Sequence, residues 1–468
     1  MISHKDGFGS AEHEKPLRIL LRCVTGNISE KGERSYPLGL LILVAAARKQ
    51  LPDYELDFRV EFKSSLFFKS LQTFKPHLVG ISSVSMYWSK AVAEGNIAHD
   101  LGIPVIFGGI HISLLPKSLP RYAIAACIGE GEVTFPEMIR GFIVDKLTES
   151  RKQIKGLAYW EEDRLVTTEA QPLLDNLDDS PFPAYDCLPQ SWIETLITSR
   201  GCPYDCIFCS TTRYWKQLRL HSAERVIADA SHIITARKPK LLIFSDDLFV
   251  ASKRRLLAIA EGFKKKGILG SVPMSCSARA NLIDDEVAEV LKHIGIVNVA
   301  FGFESGDVET LRYLKGTNVT VEDNYRAIDI MHRHNIKVHG FFIIGAPFET
   351  KEQIQNTFAL AKRTDTFDFS FLTPYPGTPL WELAKNKGMV RDNMPDWSIL
   401  DRSALAHPED VIMLSEKMRR NELLDINRKL RRLRFFHNAV HMIGHPLLPA
   451  ALSQFWNIVK TMMKYKTF

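Results

Sequence analysis

Short, bounded apolar runs separated by stretches of helical spacing dominate the first third of the chain. Residues 17–22, 78–82, 104–107 and 123–128 are such runs, and residues 37–49 place apolar side chains at helical intervals. Runs that are apolar throughout, rather than alternating, are what strands buried on both faces look like. With helices between them they predict a doubly wound parallel α/β sheet over residues 1–150. A ligand of such a sheet sits beyond the carboxyl ends of the strands. The positions to inspect are therefore 24–27, 82–85, 108–111 and 129–132, most of them small or polar, which lets a ligand approach the backbone.

The pattern changes between residues 156 and 193. Residues 157–159 and 165–168 read as a hairpin around 161–164, and 178–183 holds two prolines, so residues 151–190 are expected to link two domains. A second alternating series follows, with strands expected at 195–198, 241–244, 273–277, 297–303, 337–344 and 367–372. Six strand and helix units predict a partial (β/α)6 barrel of the TIM type over residues 191–385. The remainder, 386–468, is expected to be helical. Within it Lys417, Arg419, Arg420, Arg428, Lys429, Arg431, Arg432 and Arg434 interleave with Met418, Leu423, Leu424, Leu430 and Leu433, and Phe435, Phe436, Pro446, Leu447, Leu448, Phe455 and Trp456 make the tail apolar. Two readings stand: an interfacial helix beside an anionic membrane or lipid substrate, or a helix covering the barrel with its charges solvated.

Composition narrows the class. With 468 residues, 45% apolar and 24% charged, the chain holds two to three domains and is neither disordered, collagen-like nor a multi-span membrane protein. The longest apolar run, 38–47, falls short of the ~18–20 residues a membrane span needs. A polar N-terminus without a secretory core predicts the cytoplasm. A net charge of +6 is modest for this length, and no nucleic-acid partner is expected.

Seven cysteines is an odd number, and three crowd into SRGCPYDCIFCS at 199–210, as Cys202, Cys206 and Cys209. That is a ligand pattern rather than a disulfide framework. Gly201 and Pro203 shape a turn that lets thiolates on so short a loop converge on one metal centre. A closed iron-sulfur or zinc site takes four protein ligands. Cys187 lies in the linker, Cys276 ends an expected strand, and Cys23 and Cys127 belong to the first domain, which leaves an open, reactive coordination position. The alternative is a structural zinc completed by a distant Cys or by His221. The loop follows the first strand of the barrel series, where catalytic loops sit.

This C-x3-C-x2-C loop, with Phe208 before its last Cys, resembles the signature of radical S-adenosylmethionine enzymes. In that family three thiolates hold a [4Fe-4S] cluster, S-adenosylmethionine chelates the fourth iron, and a low-potential electron donor drives cleavage to a 5′-deoxyadenosyl radical. FSDDLF (244–249), SARAN (277–281), GFESG (302–306), GFFIIGAPFET (340–350) and PYPGTP (374–379) resemble the family's successive strand-end motifs. The resemblance implies Cys202, Cys206 and Cys209 as catalytic cluster ligands. It implies cofactor contacts from Phe208, Asp246, Asp247, Arg279, Glu304, Ser305, Ile343 and Gly345: acids for the amino group and ribose, Arg279 as a fork on the carboxylate, Ile343, Gly345 and Phe208 for the adenine. In the fifth-strand motif Ile343 and Gly345 align, while Gly340 and Glu349 are each displaced by one.

The preceding domain is similar to that of the cobalamin-binding subclass, on Pro37-Leu38-Gly39, PHLVGISS (76–83), FGGIHIS (107–113) and GEGE (129–132). A broad corrin suits a sheet end with small side chains, so Ser82, Ser83, Gly108, Gly109, Gly129 and Gly131 are the candidates. The alternative is an ordinary or degenerate doubly wound, Rossmann-like domain. D-x-H-x-x-G, which supplies a lower His ligand in many cobalamin domains, is absent, and His111 has the wrong context. The resemblance implies an oxygen-sensitive methyltransferase acting on an unactivated carbon of an organic substrate, with lipids among the candidates. Cyclisation, ring contraction or rearrangement on the same parts is the enzymatic alternative, and a metal-stabilised binding protein the non-enzymatic one.

Overall fold

The computed structural model describes residues 16–24, 37–401 and 411–442. Residues 1–15, positions 25–27 of the first candidate ligand loop, and Pro446, Leu447, Leu448, Phe455 and Trp456 of the tail lie outside the described residues.

The first sheet contains β1 (Leu17–Val24), β2 (Leu56–Glu61), β3 (Leu78–Ser83), β4 (Val105–Gly108), β5 (Ala125–Cys127), β6 (Leu157–Glu161) and β7 (Arg164–Thr167). Their spatial order is β2-β1-β3-β4-β5-β6-β7, and β1 to β5 pair in parallel, with helices Leu38–Gln50, Ser64–Thr73, Trp88–Asp100 and Gly131–Asp145 among the connections. The order reverses between β1 and β3, and the carboxyl ends of these strands frame the crevice of a doubly wound fold. The hairpin in the expected linker is present, but it pairs antiparallel onto β5 and extends this sheet. Leu157, Ala158 and Tyr159 are buried there, covering the edge that the three-residue β5 would otherwise expose.

The second sheet is an arc of six parallel strands, β8 (Ile193–Leu196), β11 (Leu241–Phe244), β12 (Met274–Ala278), β13 (Ile296–Glu304), β14 (Lys337–Ile344) and β15 (Thr366–Phe371), each beside its predecessor. The two-residue strands β9 (Ser199–Arg200) and β10 (Arg219–Leu220) form a separate pair. Because β8 and β15 are the ends of the row, the barrel is partial. β8 begins at Ile193 rather than at residue 195: Glu194, which interrupts the apolar run, is buried with Arg237 Nε 2.7 Å from its carboxylate. The helices that follow start on side-chain caps, from Ser222, Ser252, Asp284, Asp307, Thr320, Thr350 and Thr378, each accepting a first-turn amide. Thr320 and Thr350 complete capping boxes with Asp323 and Gln353.

The helix Arg420–Met442 lies along the open edge of β15. Asn438 accepts the Phe367 amide and donates to the Phe367 carbonyl, both at 3.0 Å, as a neighbouring strand would, and Leu423 and Leu430 are buried. Arg434 pairs with Asp368. This helix therefore covers the barrel, satisfying an edge that would otherwise template aggregation.

A continuous apolar body joins the two sheets. It includes Trp88 and Phe107 from the first domain, Ile343, Ala346 and Leu372 from the barrel end, and Trp381, Trp397 and Leu400 beyond it. Trp381 stacks on Trp397 with ring centres 5.9 Å apart.

Candidate active site

The chain leaves β8 and closes the base of a long loop where Ser199 and Arg200 pair with Leu220 and Arg219. Cys202, Cys206 and Cys209 lie on that loop. Gly201 starts it at φ +84°, and a Cβ there would stand 2.3 Å from the Gln217 carbonyl oxygen, so the turn requires glycine. Asp246, just past β11, holds the loop's approach: Oδ1 accepts the Thr198 and Ser199 amides at 2.6 and 2.8 Å, and Oδ2 accepts the Thr198 hydroxyl at 2.5 Å. The Ile207 amide donates to the Leu314 carbonyl at 3.1 Å. Asp247 accepts the Thr211 hydroxyl at 3.2 Å.

Asp246 was expected to face a cofactor amine or ribose. It is buried instead, with both oxygens committed to the loop, and burial pushes its carboxyl up. Cys206 is buried and Cys202 and Cys209 are half-buried. Burial, reinforced by the neighbouring thiols, pushes the Cys202 and Cys209 thiols up.

Arg279 stands against Cys206. Its Nη1 is 3.4 Å from the sulfur, Nε donates to Asn281 Oδ1 at 3.0 Å, and the guanidinium lies 3.8 Å from the centre of the Tyr204 ring. The fork expected to reach a carboxylate is thus partly engaged by the cysteine loop itself. Lys315 is buried beside it and donates to the Gly302 carbonyl.

Glu304 sits at φ +66°, where the β13–β14 register shifts, and turns its carboxylate back so that a Cβ on Gly302 would stand 2.3 Å from Oε1. Non-glycine backbone in the left-handed region at a strand end is the kind of strain that functional sites hold. Ser305 goes elsewhere: its hydroxyl shares a 2.9 Å hydrogen bond with Thr357 and accepts the Asp307 amide, so it belongs to the outer helical layer rather than to the row of strand ends. Ile343 is buried in the apolar body against which Phe208 packs. Gly345, at φ +94°, lies under Leu423. Glu349 closes that turn by accepting the Gly345 and Ala346 amides at 2.5 and 3.2 Å, and burial pushes its carboxyl up to about 7.

In the first sheet Ser82 lies in register between Cys23 and Gly108. The six candidates divide by what surrounds them. A Cβ on Gly108 would meet only Cys127, at 3.9 Å and beyond, and one on Gly129 would meet nothing within 4 Å. On Gly109 it would stand 2.7 Å from the Ser82 hydroxyl, and on Gly131 2.7 Å from Leu43, so those two are small because the protein crowds them. Ser83 is buried and donates to the Val84 carbonyl.

His111 is fully buried, 3.0 Å from both the Ser85 and Ser118 hydroxyls, stacked on Trp88 at 4.3 Å and edge-on to Trp397. Burial drives its pKa down to about 3, and both ring nitrogens are engaged, so it is not available as a ligand. His221, the alternative fourth ligand of the cysteine loop, points its Nδ1 at Asp178, 2.9 Å away.

The loops of the two domains touch. Tyr214, in the short helix Thr211–Trp215 that ends the cysteine loop, donates to the Gly129 carbonyl at 2.8 Å. Glu130 accepts Arg200 at 2.6 Å and Arg219 at 2.8 and 2.9 Å, and Glu132 accepts Arg200. The motif drew notice only for its glycines. Its carboxylates were missed because their partners lie 68 to 89 residues away.

The fold thus sets a small-residue sheet end of a doubly wound domain beside a cysteine loop that follows the first strand of a partial barrel. Residues 196–361 match the family model of the radical SAM superfamily and residues 24–139 that of the B12 binding domain. An uncharacterized methyltransferase of Pyrococcus horikoshii is 33% identical over 79% of this chain and 83% of its own length. The anaerobic magnesium-protoporphyrin IX monomethyl ester cyclase of Cereibacter sphaeroides is 25% identical over 61% of this chain and 49% of its own. The solved cobalamin-dependent S-adenosylmethionine radical enzyme OxsB, with aqua-cobalamin and S-adenosylmethionine bound, has the same fold, at TM-score 0.66 and 19% identity over 82% of this chain and 63% of that one. The chain belongs to the radical SAM superfamily, among the members that carry a B12 binding domain ahead of the barrel. It is an enzyme, its radical SAM domain implies a [4Fe-4S] cluster and S-adenosylmethionine, and its B12 binding domain implies cobalamin.

The residues present suit these groups. Three thiols on one loop, with the Arg279 guanidinium against the buried Cys206, provide soft ligands and compensating charge, while burial pushes the pKa of the neighbouring Lys315 down. As the loop stands, no trio of His, Cys, Asp or Glu side chains among the described residues is gathered to hold a metal ion, so ligation requires the thiols to draw together. Open space over Gly108 and Gly129 suits a broad, flat ligand.

Proposed function

We propose that this enzyme methylates an unactivated carbon of an organic substrate, with Cys202, Cys206 and Cys209 holding the cluster and Gly108 and Gly129, flanked by Ser82, Ser83, Gly109 and Gly131, shaping the cobalamin crevice. The observation that carries the reading is the direct contact of the two loops, Tyr214 on Gly129, which brings both cofactor platforms to one interface. When bound, the cluster supplies the electron that cleaves S-adenosylmethionine, and cobalamin supplies a methyl carrier.

The chain's own groups do the positioning. Asp246 and Gly201 set the loop's trajectory, Arg279 offsets thiolate charge, and Glu304 presents a carboxylate beside Lys315. Phe208, half-buried, offers apolar surface beside the cysteine loop, with Ile343 and Gly345 buried behind it. The units are proposed to be 1–150 extended by the hairpin, the rest of 151–190 as linker, the barrel 191–385 and the segment 386–468.

The test is anaerobic reconstitution with iron, sulfide and cobalamin, followed by assay with dithionite. The wild type is expected to form 5′-deoxyadenosine and, with methyl transfer, S-adenosylhomocysteine. Cys206→Ala is expected to form neither, and undiminished 5′-deoxyadenosine in that variant would sink the cluster assignment. Deoxyadenosine without S-adenosylhomocysteine would favour the cyclase-type alternative.

A low-potential donor and a cytoplasmic setting complete the proposal. No helix among the described residues is long and apolar enough to cross a membrane. Exposed Leu433, Phe436 and Val440, near exposed Arg428, Lys429 and Arg432, keep a lipid substrate and peripheral membrane contact within it. Flotation with anionic vesicles tests that part.

A further inference from the structure

GEGE carries two carboxylates as well as two glycines, and both are turned away from the crevice. Glu130 and Glu132 are 6% exposed, as is Arg200, and Arg219 is 8% exposed. Glu130 receives Arg200 Nη1 at 2.6 Å on Oε1, Arg219 Nη2 at 2.8 Å on Oε1 and Arg219 Nη1 at 2.9 Å on Oε2, together with the Leu174 amide at 2.9 Å. Glu132 receives Arg200 and the Ser180 hydroxyl. The guanidinium groups of Arg200 and Arg219 also lie 5.4 and 5.8 Å from the Trp215 ring, at the end of the same loop.

The placement of the two arginines is what matters. Arg200 and Arg219 are the paired residues of β9 and β10, the base from which the whole cysteine loop springs. Glu130 follows Gly129, whose φ of +83° and empty surroundings make it part of the cobalamin crevice, and Glu132 follows Gly131. Two rigid forks from one loop thus converge on two carboxylates from the other. Bidentate pairing of this kind sets orientation as well as distance, and burial removes the water that would let it slip.

We infer that Glu130 and Glu132 are positioning residues, which with Arg200 and Arg219 hold the cluster loop at a set distance and angle from the crevice loop. The inference rests on the proposed function for its consequence. Reductive cleavage of S-adenosylmethionine needs only the barrel. Methyl transfer would call on both platforms: cobalamin held at the Gly129 loop would accept the methyl group of S-adenosylmethionine held at the cysteine loop, releasing S-adenosylhomocysteine, so it would depend on how the two loops are set against each other. Loosening the lock is expected to depress the second reaction and spare the first.

Glu130→Gln alone leaves charges buried without partners and endangers folding. The double variant Glu130→Gln/Arg219→Gln removes both partners, while Arg200 keeps Glu132. Two measurements are made. Hydrogen exchange on the full-length apoprotein is expected to rise about tenfold across residues 198–220 relative to the rest of the barrel. On reconstituted protein, with titanium(III) citrate as reductant, S-adenosylhomocysteine is expected to fall at least ~10-fold relative to 5′-deoxyadenosine, since a misplacement of about 1 Å costs rate steeply. Unchanged exchange, or an unchanged product ratio, overturns the inference. Absence of 5′-deoxyadenosine in the wild type instead counts against the proposed function, and exchange then decides the positioning role by itself.

Discussion

Tyr214 donates its hydroxyl to the Gly129 carbonyl at 2.8 Å, joining the last turn of the cysteine loop to the glycine that opens the first domain's crevice. The side chain is half-buried, and desolvation pushes the phenol's pKa upward, so it stays a donor across the working range of pH. Two loops that different domains contribute are thereby one surface.

Gly108 offers a way to fill that surface without disturbing the fold. Its Cβ position meets only Cys127, at ordinary van der Waals distance, so Gly108→Leu is expected to melt within a few degrees of the wild type while retaining at least ~10-fold less cobalamin after gel filtration. Iron content should be unchanged. Gly131→Leu is the contrast: its side chain would collide with Leu43, and overpacking of about 1–3 kcal/mol should lower the melting temperature.

Asp246→Ala removes the acceptor outright. The carboxylate takes two amides and a hydroxyl, and alanine can accept none of them. Leaving such a buried group unsatisfied costs about 1–3 kcal/mol. Reconstituted iron should fall and exchange of the Thr198 and Ser199 amides should rise, read by iron assay and hydrogen exchange.

His111 makes stability depend on pH. Its folded pKa, about 3, lies below the ordinary 6.5, so between those values the unfolded chain binds a proton that the folded chain does not. Stability from this group is complete above pH 6.5 and declines as pH falls toward 3. The loss is on the order of a few kcal/mol, at about 1.4 kcal/mol per pH unit. His221, at about 4, contributes in the same direction. Urea titrations of His111→Gln between pH 7 and 5 should show a shallower slope than the wild type, and an equal slope would contradict the assignment.

Asn438→Leu removes the side chain that completes β15. The Phe367 amide and carbonyl lose their partners, a cost of about 1–3 kcal/mol. Thermal scans should show a lower midpoint, and light scattering earlier aggregation as the edge is uncovered.

Several features were legible in the chain itself. Buried parallel strands such as β1 and β3 carry short apolar stretches, 19–21 and 78–81, that mark them in the chain. Cysteines three and four apart are kept close to one another by the chain itself. Other features were not. Residues 157–168 were legible as a hairpin within the linker but not as an extension of the first sheet, because two short strands carry no record of the edge they will cover. That Asp246 is already committed to the cysteine loop was not legible, because a motif records which residues occur and not where their side chains turn.

What the sequence determined by itself is what arises over a few residues: strand and helix periodicity, the turn at Gly201 and the triplet Cys202, Cys206 and Cys209. Only the tertiary structure decided which small residues face open space, which acids were already committed, and that Glu130 and Glu132 reach Arg200 and Arg219. The physical reason is that a side chain's partners across ~70–90 positions depend on how whole layers pack, and local pattern carries no information about that distance.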